Sequence, residues 1–334
     1  RSFILADTPG HVQYTRNTVT GLSTSELVIV LIDARNGVIE QTRRHLRVAS
    51  MMKLSHVVVA VNKIDAVDYS EEIYNQVADD IRTLTDELGL NHVDIVPTSA
   101  LLGDNVVERS AKTPWYDGPS VLEILEKATP GAENDSVNRE LRLPIQIVIR
   151  EHSSDYRGYA GRVKAGSISV GDEVRLPEGR TSTITQIDTA DGPADSAATG
   201  DSVTLLLADD VDLARGDLLA GPQRPAATRE FDATVVGLTE KDIKPGQMLK
   251  LRYGSSLVKA RVAAVTRTLD LDGVSDVEDP ESVAMNDIAH ITIQTQAELP
   301  VEDYAARGAV GNFLLIDQSS GNTLAAGFVG HRLR

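Results

Sequence analysis

Short apolar runs alternate with longer amphipathic stretches through the first third of the chain. Residues 28–32 and 57–61 are unbroken runs of β-branched and aliphatic side chains, which are typical of strands buried on both faces. Residues 41–53 and 70–88 carry apolar side chains at helical spacing, so we predict a helix over each. This alternation predicts an α/β domain over residues 1–128, with a mostly parallel sheet and helices on both of its faces.

The pattern changes after a polar stretch at residues 129–139, which we interpret as a linker. Beyond it, short alternating segments such as 142–149 and 202–207 are separated by glycine-rich turns, with no helical pattern between them. Closely spaced short strands of this kind predict small antiparallel β-barrels. We expect a first barrel over residues 140–222 and a second over residues 228–334.

Composition argues against several classes of protein. A formal charge of −16 and the lack of a dense Lys/Arg run disfavour a broad nucleic-acid surface, because clustered cations hold phosphate backbones. No uncharged apolar run approaches the roughly 20 residues of a membrane span, and the chain starts with no basic, apolar export leader. Without cysteine there is no disulfide framework. We therefore expect a cytoplasmic protein that binds neither membrane nor nucleic acid.

Polar segments follow the predicted strands, where ligands bind to open α/β sheets. The first is Asp-Thr-Pro-Gly-His at residues 7–11, directly after the apolar residues 3–6, which we predict to form a strand. An aspartate at such a strand end, here Asp7, can hold Mg²⁺ through water. A glycine, here Gly10, lets a backbone N–H approach a γ-phosphate. A Pro-Gly turn without any function would give the same residues.

The second segment is Asn-Lys-Ile-Asp at residues 62–65, directly after the predicted strand 57–61. Guanine presents N1–H and N2–H₂ on one edge, and a single carboxylate can accept from both, whereas adenine offers no such pair. Asp65 is suited to this role, Asn62 can reach guanine N7, and Lys63 can lie over the base. The alternative is an exposed polar turn, which is common in α/β proteins.

The third segment includes Ser99, Ala100 and Leu101, after the apolar run 93–96. A small residue here lets a backbone N–H reach the O6 acceptor of guanine. By itself this tripeptide is too frequent to indicate anything. The three segments together, in this order and each after a predicted strand, describe one pocket for GTP or GDP.

With these three segments the chain resembles the translation-factor GTPases, which consist of a G domain followed by two β-barrels. The resemblance covers essentially the whole chain and implies GTP or GDP and Mg²⁺ as ligands. It also implies that His11, the residue after Pro-Gly, positions the attacking water as the catalytic residue. A helix-capping or partly buried histidine is the alternative for His11.

Within that superfamily, several stretches are similar to the GTPase subunit of bacterial ATP sulfurylase (sulfate adenylyltransferase). The most specific are Asp-Tyr-Arg-Gly-Tyr-Ala-Gly at residues 155–161 and the segment 212–219, with further similarity at 33–38 and 41–45. Another similar stretch surrounds the single tryptophan, Trp115, which we expect to pack in a hydrophobic seam. An arginine that merely holds a barrel loop would also account for residues 157–161.

This second resemblance implies a regulatory GTPase in sulfate assimilation and cysteine biosynthesis. It would couple GTP hydrolysis to formation of adenosine 5'-phosphosulfate and pyrophosphate from ATP and sulfate. The implied partner is a smaller adenylyltransferase subunit, where ATP and sulfate react, and some members carry a fused or associated adenylylsulfate kinase. Two alternatives remain open: an elongation factor that carries aminoacyl-tRNA, and a non-catalytic scaffold with a degenerate GTPase domain.

The phosphate-binding loop, Gly-x-x-x-x-Gly-Lys-Ser/Thr, does not occur in these 334 residues, and neither does any Gly-Lys pair. That loop supplies the backbone cradle for the phosphates, a lysine and a hydroxyl ligand for Mg²⁺. In the resembling families it precedes the segment at Asp7, together with the first switch. We therefore expect the natural protein to extend N-terminally, and the 334 residues alone to bind GTP poorly.

Overall fold

In a computed structural model, the chain divides into two compact units. The described residues up to 128 form the first unit, and the described residues from 140 onward form the second. The structure describes residues 1–8, 15–54, 56–128, 140–150, 155–269, 276–304 and 310–330.

A parallel sheet forms the centre of the first unit. Its three described strands, in the order β1-β2-β3, are β1 (Leu27–Asp33), β2 (His56–Asn62) and β3 (Val93–Pro97). The central strand is buried along almost its whole length, as its continuous apolar run predicts. The helices of this unit are α1 (Thr15–Thr24), α2 (Glu40–Met51), α3 (Glu71–Glu87) and α4 (Val121–Lys127).

The helices begin where the sequence supplies caps. The Ser70 hydroxyl accepts a hydrogen bond from the Ile73 N–H at the start of α3, and two glutamates follow in its first turn. Ser120 and Glu123 form a reciprocal capping box at the start of α4. The structure thus confirms the helices predicted over 41–53 and 70–88, with small changes at their ends.

The prediction of a strand over residues 3–6 was wrong. In the structure this segment has no regular secondary structure, and Ile4 and Leu5 are fully or almost fully exposed. A strand requires hydrogen bonds to a neighbour, and residues 1–8 pair with none of the described strands. Apolar composition alone therefore did not decide the structure of this segment, and Asp7 does not follow a strand.

The second unit contains two closed antiparallel barrels. In the first, the strands form a ring in the order β11-β5-β4-β12-β7-β8, closed by pairing of β11 with β8. Its inward-facing aliphatic residues form one hydrophobic core. The strands of this region are β4 (Arg142–Arg150), β5 (Arg157–Arg162), β6 (Ser167–Ser169), β7 (Glu173–Arg175), β8 (Thr181–Thr189), β9 (Gly192–Ala194), β10 (Ser196–Ala198), β11 (Ser202–Leu207) and β12 (Leu218–Ala220).

The second barrel also has six strands around a separate core. They follow the order β14-β18-β19-β13-β17-β15, and pairing of β14 with β15 closes the ring. Closure leaves no open sheet edge between these strands. The strands are β13 (Ala227–Gly237), β14 (Met248–Tyr253), β15 (Ser256–Leu269), β16 (Val277–Glu278), β17 (Ile288–Pro300), β18 (Asn312–Ile316) and β19 (Thr323–Val329).

An ion pair of limited exposure joins the two barrels within the second unit. The Arg142 guanidinium on β4 donates from Nε to Glu302 Oε1 at 2.8 Å, and it also donates to the Gln223 carbonyl at 2.9 Å. A second contact between the barrels is the hydrogen bond that the Ser256 hydroxyl donates to the Gly216 carbonyl at 3.0 Å. In the described part of the chain, no helix is long and apolar enough to cross a membrane. The linker predicted at 129–139 lies outside the described residues.

Candidate guanine-nucleotide site

The carboxyl ends of the three parallel strands lie side by side in the first unit. Asp33 of β1 is in register with Asn62 of β2, and Val61 is in register with Pro97 of β3. Beyond β3, the Thr98 N–H donates to the Val61 carbonyl at 2.8 Å. The second and third predicted segments therefore meet at one edge of the sheet.

A side-chain hydrogen bond joins these two segments. The Ala100 N–H donates to Asn62 Oδ1 at 2.9 Å, and Asn62 is half-buried. Because a backbone N–H can only donate, this contact assigns the amide orientation. Asn62 Nδ2 is then a donor with no recorded acceptor among the described residues. A donor at this position suits guanine N7, which is an acceptor.

The three backbone N–H groups of the Ser-Ala-Leu segment have different partners. The Ser99 N–H donates to the Asp104 carbonyl at 3.2 Å, and the Ala100 N–H is taken by Asn62. For the Leu101 N–H the structure records no acceptor among the described residues. Leu101 is strongly exposed, at 87%. Of the three predicted donors for guanine O6, the Leu101 N–H is therefore the one left available.

Lys63 is held by a residue that the sequence analysis did not assign to the site. Its backbone is left-handed, with φ 61°, and its ammonium donates to Asp33 Oδ2 at 3.0 Å. Arg35 donates to both oxygens of the same carboxylate, at 2.9 and 2.6 Å. The hydrogen bonds from Arg35, and then from Lys63, hold the pKa of Asp33 well below its usual range, against the opposing effect of partial burial.

Asp65 lies in the short 3₁₀-helix Ile64–Val67, which begins directly after Lys63. The Asp65 side chain is half-buried. The site thus presents a carboxylate, an amide donor at Asn62 Nδ2 and a backbone donor at Leu101. Guanine offers the complementary set, with N1–H and N2–H₂ donors beside O6 and N7 acceptors. Adenine would turn its N6 donor toward the backbone N–H, so the chemistry of the described groups fits guanine.

The first predicted segment is only partly described. Asp7 is exposed, while Gly10 and His11 lie outside the described residues. In the portions the structure covers, no three His, Asp or Glu side chains are grouped as metal ligands would be. The assignments of Asp7 to Mg²⁺, of Gly10 to phosphate and of His11 to catalysis therefore remain predictions.

Asp33 and Arg35 are the site residues that the sequence analysis missed. The signal was present, because Asp33 directly follows the apolar run 28–32, as the other site segments follow theirs. Its contact with Lys63 depends on the register of β1 against β2, which the sequence alone does not specify.

Comparison with known families agrees with this geometry. Residues 1–132 match the family model of the elongation factor Tu GTP binding domain, and residues 230–330 match that of the GTP-eEF1A C-terminal domain-like family. An α/β domain of this kind, followed by two closed barrels, is the fold of translation-factor-type GTPases.

Curated relatives identify the family within this class of GTPases. The chain is 40% identical over 332 residues to sulfate adenylyltransferase subunit 1 of Chromobacterium violaceum, covering 98% of this chain and 69% of the relative. It is 41% identical over 337 residues to the protein of the same name from Cellvibrio japonicus, covering 100% and 70%. The chain belongs to the sulfate adenylyltransferase subunit 1 family.

Longer relatives also match. The chain is 41% identical over 335 residues to the bifunctional enzyme CysN/CysC of Mycobacterium tuberculosis, covering 98% of this chain and 54% of the relative. The chain therefore spans about half the length of some of the curated relatives that it matches. Among solved structures, those of sup35 complexed with GDP and with GMPPNP each give a TM-score of 0.54 at 28% identity, covering 93% of this chain and 79% of theirs.

Proposed function

We propose that this chain carries the guanine-nucleotide site of a regulatory GTPase subunit of sulfate adenylyltransferase. The subunit would couple GTP hydrolysis to formation of adenosine 5'-phosphosulfate and pyrophosphate from ATP and sulfate. The observation that carries the proposal is the donor and acceptor set at the sheet edge, in which Asn62 is held by the Ala100 N–H. Membership of the sulfate adenylyltransferase subunit 1 family supports the choice of reaction.

The described residues would bind and select the base. Asp65 would accept hydrogen bonds from guanine N1–H and N2–H₂, Asn62 Nδ2 would donate to N7, and the Leu101 N–H would donate to O6. Lys63, held by Asp33, would lie against the base with its aliphatic stem. Sup35, a related protein, forms complexes with GDP and GMPPNP, which supports a guanine nucleotide as the ligand.

Phosphate chemistry would depend on the first segment. Asp7 would hold Mg²⁺ through water, Gly10 would give a backbone N–H to the γ-phosphate, and His11 would orient the attacking water. Mg²⁺ would neutralise charge on the phosphate oxygens during hydrolysis. On this proposal, His11→Ala slows GTP hydrolysis while leaving GTP affinity almost unchanged, whereas an exposed control, His92→Ala, changes neither.

The proposal includes a partner, because the adenylyl-transfer residues are not assigned to this chain. Relatives are named as subunit 1, which supports a second, smaller subunit that carries out adenylyl transfer from ATP. The bifunctional CysN/CysC relative supports a fused or associated adenylylsulfate kinase in part of the family. A cytoplasmic location is part of the same proposal.

The test is GTP hydrolysis by the full protein together with its co-purifying partner. The rate would be measured with ATP and sulfate together, with each alone, and with neither. Stimulation that requires both substrates is the expected result. A rate that ignores both substrates and rises with ribosomes would overturn the proposal in favour of an elongation factor that carries aminoacyl-tRNA. No hydrolysis under any condition would instead favour a scaffold.

A further inference from the structure

The carboxylate of Asp104 is the centre of a hydrogen-bond cluster next to the nucleotide site. It accepts from the Ser110 hydroxyl at 2.7 Å on Oδ1, and from the Tyr69 hydroxyl at 2.8 Å and the Lys112 ammonium at 3.2 Å on Oδ2. Its side chain is only 11% exposed. These hydrogen bonds, led by that of Ser110, lower the pKa of Asp104, so the group stays ionised at neutral pH.

The cluster holds the segment that carries Asp65. Tyr69 follows the 3₁₀-helix of Asp65, and its N–H donates to the Ile64 carbonyl at 2.9 Å. Its backbone is left-handed, with φ 55°, an uncommon conformation for an aromatic residue, so surrounding contacts must fix it. The Trp115 indole N–H donates to the Tyr69 carbonyl at 3.0 Å, and the Lys112 ammonium lies 5.1 Å from the Tyr69 ring centre.

Asp104 also holds the Ser-Ala-Leu segment. Asp104 and Ser99 form an isolated antiparallel bridge, in which the Ser99 N–H donates to the Asp104 carbonyl. The Gly103 N–H closes the turn by donating to the Ser99 carbonyl at 2.7 Å. The exposed Leu101 lies inside this turn. Through its backbone and its side chain, Asp104 therefore contacts both segments that would read the base.

We propose that Asp104, acting through Tyr69, is a positioning residue that sets the separation between the Asp65 carboxylate and the Leu101 N–H, and thereby the selectivity for the O6 of guanine. This inference rests on the proposed function. Guanine is read along one rigid edge, so its N1–H and O6 must meet an acceptor and a donor at a fixed spacing. Removing the hydrogen bond from Tyr69 to Asp104 leaves the backbone bonds of the Leu101 turn in place but lets the turn shift relative to Asp65, so the O6 contact weakens first.

A merely structural role for Asp104 makes a different prediction. If the cluster only stabilises the fold, its removal lowers stability and weakens every nucleotide by the same factor. If the cluster positions the Leu101 N–H, its removal lowers the affinity mainly for nucleotides that present a good O6 acceptor. Inosine diphosphate keeps O6 and lacks the 2-amino group, whereas 6-thioguanosine diphosphate keeps the amino group and replaces O6 by a weaker sulfur acceptor.

The experiment measures dissociation constants of the full protein for GDP, inosine diphosphate and 6-thioguanosine diphosphate. The variants are Tyr69→Phe, which removes one hydroxyl and keeps the ring, and Asp104→Asn. Tyr156→Phe is the matched control, because it removes a tyrosine hydroxyl that donates to the Asp188 carboxylate at the same 2.8 Å, in the other unit. Asp79→Asn is the control for the carboxylate, because it removes an exposed pair with Arg82 on α3.

We expect both site variants to weaken GDP and inosine diphosphate by about three- to tenfold, the value of roughly one hydrogen bond, and 6-thioguanosine diphosphate distinctly less. The controls leave all three affinities unchanged. Equal weakening of all three nucleotides, or no weakening, would overturn the positioning role while the proposed function stands. Failure of the unsubstituted protein to prefer GDP over ADP would instead overturn the proposed function itself.

Discussion

The Ala100 N–H donates to Asn62 Oδ1 at 2.9 Å, across 38 positions of sequence. Asn62 ends β2 and Ala100 follows β3, so one side chain joins the two segments that we assign to guanine. The bond fixes the orientation of the amide. Within the described parts of the chain, Asn62 Nδ2 and the neighbouring Leu101 N–H are left without an acceptor and can donate to a ligand.

Replacing Asn62 tests that contact. Asn62→Ala removes both the donor to guanine N7 and the acceptor that holds Ala100, so we expect GDP affinity to fall by about tenfold or more, corresponding to one or two neutral hydrogen bonds. Asn75→Ala makes the same chemical change at an exposed position of α3 and should have no effect. Titration calorimetry measures both, and unchanged GDP affinity in Asn62→Ala would argue against the assigned contact.

The pair formed by Asp33 and Lys63 makes a second prediction. Asp33→Asn weakens the hold on the Lys63 ammonium, so GDP should dissociate faster by about three- to tenfold. In a Lys63→Met background the same substitution should add little, because the coupling is already lost. A stopped-flow displacement assay gives the GDP dissociation rates of the unsubstituted protein, the two single variants and the double variant. Fully additive effects would mean that Asp33 does not act through Lys63.

Burial of His45 predicts a pH dependence of the first unit. Burial, and then the nearby Arg44, lower the pKa of His45 in the folded protein. In the unfolded state His45 has the ordinary histidine pKa of about 6.5. Below that pH the unfolded state binds more protons than the folded state, so stability falls as the pH drops through that value. His45→Gln should therefore reduce the dependence of stability on pH in this range.

Urea unfolding followed by Trp115 fluorescence measures the effect, because the single tryptophan lies in the first unit. Unfolding midpoints at pH 8 and pH 5.5 would be compared for the unsubstituted protein and for His45→Gln. If His45→Gln leaves the difference between the two midpoints unchanged, His45 does not cause the slope.

The ion pair between the barrels predicts a large stability difference. Arg142 and Glu302 are 11% and 19% exposed, so Glu302→Ala leaves a poorly solvated guanidinium and should cost about 2–3 kcal/mol. Glu298→Ala breaks the ion pair with Arg229. Glu298 is 59% exposed and Arg229 is 66% exposed, so this substitution should cost less than about 0.5 kcal/mol. Differential scanning calorimetry of the second unit's transition compares them. Similar losses in the two variants would contradict the account.

Much of the fold was predictable from local patterns. The runs 28–32, 57–61 and 93–96 became β1, β2 and β3 with changes of one residue at most at each end, because a strand covered on both faces must be continuously apolar. The prediction that Trp115 packs in a hydrophobic seam was confirmed, since its ring lies 5.1 Å from that of Tyr74. Residues 3–6 were equally apolar and formed no strand, because pairing, not composition, decides strand formation.

The site was less predictable than the fold. Asn62, Asp65 and the Ser-Ala-Leu segment could be proposed because each follows an apolar run. The roles of Asp33 and Asp104 depend on strand register and on contacts between loops distant in sequence, which local patterns do not encode. Arg157 illustrates the same limit. It lies at the start of β5, and its guanidinium donates to the Val211 carbonyl at 2.9 Å, a contact the sequence did not specify.

The most direct test of the guanine site is the base preference of Asp65→Asn. Asparagine can accept from N1–H but meets the 2-amino group of guanine with its own donor, whereas xanthine presents an oxygen there. We expect Asp65→Asn to lower GDP affinity by roughly 100-fold or more, as for two charge-assisted hydrogen bonds, and to bind xanthosine diphosphate more tightly than GDP. Asp68→Asn, three residues on and exposed, is the control. Retention of the preference for GDP in Asp65→Asn would contradict the assignment of this sheet edge as the guanine site.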